Sequence, residues 1–90
     1  MIKSTKEPDP KIVREAMYDV IRNQLRDGNP PETKQTLDRL TNQGIPEDEA
    51  MRMLAGALAN EIYYILRDKR PYDRERYLRL LRRLPKESFD

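Results

Sequence analysis

From Ala50 to Leu66 the chain is apolar around roughly two thirds of its circumference when wound at 100° per residue. A helix with that pattern belongs inside a protein, and the other segments read as its cover. Met51, Leu54, Ala55, Leu58, Ile62, Ile65 and Leu66 form its main arc, with Met53, Ala57 and Tyr64 widening it. Ile45-Pro46 opens this helix, which is predicted over 46–69. Glu47, Asp48 and Glu49 fill the first turn, while Arg67, Lys69 and Arg70 lie at the end, both placements favoured by the helix dipole.

Proline and glycine mark three further helices. Asp9-Pro10 supplies an N-cap and a first-turn proline, and Gly28 a stop, for a helix over 10–27 with the arc Val13, Ala16, Met17, Val20, Ile21 and Leu25. A helix over 31–43 follows Asn29-Pro30-Pro31 and closes at Gly44; with only Leu37 and Leu40, helped by Thr33 and Thr41, on its inner face, it is the expected weak element. After Pro71, Asp73 caps a helix over 74–84 that buries Tyr77, Leu78, Leu80, Leu81 and Leu84. Tyr72 is placed to staple onto Tyr77, and Pro85 ends the helix. No stretch alternates as a half-buried strand does. The predicted fold is all-α: a compact four-helix bundle with a buried, largely apolar third helix at its centre. It forms one domain over 9–85, with flexible ends at 1–8 and 86–90.

Composition narrows the chemistry. Ninety residues hold no cysteine and no histidine, which removes disulfides, thiolates, imidazole bases and the usual zinc ligands together. The two serines, Ser4 and Ser88, stand in the expected frayed ends with no base beside them. The reading is therefore a non-enzyme, with no metal and no cofactor. Neither a membrane span nor an apolar secretory leader is legible, so a cytoplasmic protein is expected. Net charge is +2, unevenly spread: residues 1–66 carry nine basic against eleven acidic side chains, residues 67–90 nine against five.

Three groups of residues invite a functional reading. Glu61 projects about 20° from both Ala50 and Leu54, and Gln24 falls between Val13 and Met17, so each polar group lies on an apolar face. They are expected to meet as a buried polar pair that fixes register, alone or with an Arg or a Tyr hydroxyl; the alternative is a perturbed carboxylate serving as acid or base. Gly56, Asn60 and Tyr63 share the polar strip of the third helix, a small residue beside an amphipathic ring, and form a candidate interaction patch unless Tyr63 simply covers a neighbouring helix. Arg76, Arg79, Arg82 and Arg83 make a basic face on the last helix. That face is solvated, paired with acids such as Glu47 and Asp48 or with an acidic partner, or set against RNA or DNA phosphates. Trp is absent and Phe89 is the one Phe, which leaves little base-stacking surface. The second and third helices superficially match a DNA-reading helix-turn-helix, but Glu47, Asp48 and Glu49 stand where such a helix meets the major groove.

The strings Asn23-Gln24-Leu25, Asn29-Pro30-Pro31-Glu32, Arg39-Leu40 before Gly44, Glu49-Ala50, Glu61-Ile62 and Arg70-Pro71-Tyr72-Asp73 with Tyr77 resemble a small all-helical prokaryotic domain, the domain of unknown function 1841, over residues 9–85. The resemblance implies a helical fold and no assigned activity. It also implies histidines in a His-Glu-Ala-x-His arrangement near the start of the third helix, suggestive of a metal site. This chain has Asp48-Glu49-Ala50-Met51-Arg52 there, and Arg52 is no ligand, so the metal is not carried over. The expected function is a non-catalytic helical protein-interaction module, with a protein partner or a second copy bound through Gly56, Asn60 and Tyr63 and part of the basic last helix. The alternative is RNA or DNA backbone binding through the last-helix arginines.

Overall fold

A computed structural model describes residues 9–85. The expected flexible ends, with Ser4, Ser88 and Phe89, lie outside them. Four helices follow in order: α1 (Pro10–Asp27), α2 (Pro31–Asn42), α3 (Glu47–Asp68) and α4 (Arg74–Arg82). Among the described residues there is no strand, and no helix is long and apolar enough to cross a membrane.

Local chemistry explains the borders. The Asp9 carboxylate accepts the Lys11 N–H at 2.8 Å, Pro10 opens α1, and Gly28 closes it in the left-handed region at φ 64°, donating its N–H to the Gln24 carbonyl. Lys69 takes the same role after α3, with φ 53°, a conformation costly for a residue with a Cβ. Asp73 caps α4 by accepting the Arg76 N–H at 3.1 Å, and the Tyr72 and Tyr77 rings lie 6.3 Å apart, as the staple requires. Helix α4 stops at Arg82, two residues before the expected border, yet Leu84 beyond it is still buried.

The core gathers Ile21 from α1, Leu40 from α2, Ala50, Leu54, Ala55, Ala57 and Leu58 from α3, and Tyr77, Leu78, Leu80, Leu81 and Leu84 from the last segment. Two expectations need correction. The third helix is not buried along its length: Leu66, on its expected apolar arc, is 72% exposed. Nor is α3 alone at the centre. Both α2 and α3 pack on all three other helices, whereas the backbones of α1 and α4 stay apart. The inner face of α2 is built from Thr33, Thr36 and Leu40, with Leu37 and Thr41 half-buried.

Helix α1 is the least covered. Of its predicted arc only Ile21 is fully buried; Val13, Met17 and Leu25 are half-buried, and Ala16 and Val20 are exposed, as is Ile12 at 66%. Ile12, Ala16 and Val20 recur every fourth residue, so they form one apolar stripe in water.

Candidate interaction surfaces and the polar seam

Glu61 is fully buried, and its carboxylate is fully engaged. Arg76 donates from Nε to Oε1 at 2.6 Å and from Nη2 to Oε2 at 3.0 Å, and the Asp73 backbone N–H reaches Oε2 at 3.1 Å. In a capping box the third residue of a helix supplies the carboxylate that covers the N-cap N–H. Here the third residue is Arg76, and a carboxylate from another helix does the work. Glu61 raises the Arg76 guanidinium above its ordinary pKa, chiefly by hydrogen bonding. With both oxygens committed, this carboxylate is a clasp between α3 and α4 rather than a poised base.

Gln24 does not take Glu61 as its partner. Its Oε1 accepts from Thr33 Oγ1 at 2.7 Å and from the Tyr77 hydroxyl at 3.1 Å, joining α1, α2 and α4. Each polar residue therefore has its own clasp, and the two share consecutive residues of α4, Arg76 and Tyr77. Burial pushes the Tyr77 phenol up to about 12. A third clasp was not foreseen: Arg39 of α2 donates to the Leu84 carbonyl at 2.6 Å and to the Leu81 carbonyl at 3.0 Å, the latter also accepting the Leu84 N–H, and so ties α2 to the end of the last segment.

The other expected sites divide. Gly56 lines an apolar groove of about 540 Å³ between α1 and α3, with Val13, Met17 and Tyr18 on one wall and Ala55 and Ala59 on the other. Arg14 and Arg52, both exposed, are its charged members. Asn60 instead lines a pocket between α3 and α4, so along the face of α3 that carries Gly56, Asn60 and Tyr63 the first two open onto different grooves. Tyr63 is exposed, edge-on to Tyr64 at 5.5 Å, with the Arg67 guanidinium over both rings at 5.5 and 4.8 Å. Arg67 is raised above its usual range by hydrogen bonds to Asp68 and Tyr63, and Asp68 is correspondingly lowered.

The basic face is split as well. Arg76 is compensated by Glu61; Arg79 and Arg83 open onto the α3–α4 pocket, and Arg82 onto a different one beside Arg39. Among the described residues Glu47 and Asp48 form no ion pair with this face, and the acid that reaches α4 from outside its own seam is Glu32, 3.4 Å from Arg74. No three carboxylate side chains among the described residues gather as a metal site. A scan against family models, a search of curated proteins and a search of solved structures each find no match.

Proposed function

We propose that this protein is a non-catalytic helical interaction module that binds a second copy of itself through the N-terminal half of α1 and the groove beside it. The observation that carries this reading is the apolar stripe Ile12, Ala16 and Val20, left in water next to an apolar groove. A contiguous apolar surface of this kind is the usual mark of a partner site.

The chain itself offers a matching occupant. Glu15 and Asp19 flank the α1 stripe, and both are exposed; Arg14 and Arg52 flank the groove. In a two-fold pair the stripe of each copy lies in the groove of the other, which brings acids to bases and apolar side chains to apolar side chains. Ala55, Gly56 and Ala59 are small enough for a helix to approach closely. Symmetric association of identical patches is the commonest form of protein self-assembly.

Sedimentation at two protein concentrations a hundredfold apart tests it. The average mass should climb towards twice that of one chain, and Ala16→Glu should hold it at one chain with a melting temperature unchanged at the lower concentration. A charge-swapped pair, Glu15→Arg with Arg52→Glu, should associate better than either single change. A mass equal to one chain at both concentrations overturns the proposal.

A further inference from the structure

We infer that the pocket between α3 and α4 is a binding site for a small phosphomonoester, held by Arg79 and Arg83 against the fixed Arg76. This site is separate from the α1 groove and does not depend on self-association. Its lining is Asn60 and Tyr64 of α3 and Arg76, Arg79, Leu80 and Arg83 from α4 and its C-cap, around a volume of about 350 Å³. That size stands at the low end of small-ligand sites, roughly 300–1,000 Å³.

The three arginines occupy positions i, i+3 and i+7, hence one face of α4 and a span of about 10 Å. Arg76 is immobilised by its two bonds to Glu61 and lies over the Tyr64 ring at 5.5 Å. Its charge is balanced by that carboxylate. Among the described residues neither Arg79 nor Arg83 is in an ion pair, so the pocket holds two uncompensated guanidiniums. A phosphomonoester carries a charge of about −1.5 to −2 at neutral pH and presents three acceptor oxygens, which matches two forked donors. The C-terminal end of a helix repels anions, but Arg39 covers the carbonyls of Leu81 and Leu84.

A polynucleotide fits less well. Its backbone offers singly charged diesters, and its bases need open rings, whereas Tyr64 is half-buried beneath Arg67 and Arg76.

The test follows backbone and arginine side-chain NMR signals of the full chain during titration with inorganic phosphate, methyl phosphate and dimethyl phosphate, each against chloride at matched ionic strength. Saturable shifts at Tyr64, Arg79 and Arg83 are expected with phosphate and methyl phosphate, with dimethyl phosphate at least tenfold weaker. The double variant Arg79→Gln/Arg83→Gln should lose at least tenfold in affinity for methyl phosphate and keep its melting temperature, since neither side chain is buried or paired. Equal shifts with chloride, equal affinity for the diester, or undiminished binding by the double variant would each overturn the inference.

Discussion

The seam around α4 and the outer side of α1 treat polar and apolar residues in opposite ways. At the seam, Glu61, Gln24 and Thr33 are taken out of water or partly so, and each acceptor or donor meets a mate: Arg76, the Asp73 N–H, or the Tyr77 hydroxyl. Along α1, Ile12, Ala16 and Val20 stay in water although the sequence makes them apolar. Burying a charge is costly unless it is paired, and exposing apolar surface forfeits roughly 25 cal/mol for each Å² left uncovered. The first cost has been offset within the chain. The second is offset only by something that covers the stripe. The polar seam is closed within the chain, whereas the apolar stripe of α1 is left open to water.

The largest effect should come from breaking the seam. Arg76→Met leaves the buried Glu61 carboxylate with the Asp73 N–H alone, and an uncompensated buried charge costs about 3–5 kcal/mol. Glu61→Leu combined with Arg76→Met removes both charges and should recover most of that loss, because apolar replacements of an ion pair are close to neutral. Urea unfolding midpoints of the three proteins decide it. If the double variant is no more stable than Arg76→Met, the pair is not the clasp described.

Next in size is a contrast within α3. Leu54 is fully buried, so Leu54→Ala should cost about 2–5 kcal/mol. Leu66, on the same predicted arc, should lose less than about 0.5 kcal/mol on the same change, as exposed positions do. Equal losses would mean that the last turns of α3 are covered in solution.

That contrast also shows what the sequence could convey. Period and punctuation place all four helices within two residues, and they identify the five buried residues of the last segment because α4 is narrow and strongly one-sided. The same period places Leu66 and Ala16 on apolar arcs but cannot say whether a neighbour exists to cover them. Coverage depends on how many helices there are and where the turns send them. Glu61 was legible as a buried acid from its neighbours on the helical wheel. Its partner was not, since Arg76 is brought to it by the turn through Lys69, whose left-handed conformation no pattern in the sequence announces. Arg39 left still less trace: one arginine at the border of a weak helix becomes a cap only when the end of α4 is beside it.

Tyr77 gives the smallest effect and the most specific one. Its phenol is pushed up to about 12 in the folded chain, from about 10 when exposed. Because the folded value is the higher one, the neutral hydroxyl contributes fully below about pH 10, and that contribution is lost as the pH rises towards 12. Unfolding frees the phenol to ionise, so across that window the wild type should lose on the order of 2 kcal/mol that Tyr77→Phe does not lose. Tyr72, also raised by partial burial, is common to both proteins and drops out of the comparison. At neutral pH the same variant should be less stable by about 0.5–1.5 kcal/mol, the worth of the lost bond to Gln24. The two stability curves should therefore converge or cross on the alkaline side. Parallel curves from pH 8 to 12 would show that the hydroxyl reaches water, and the α1–α4 link through Gln24 would then have to be withdrawn.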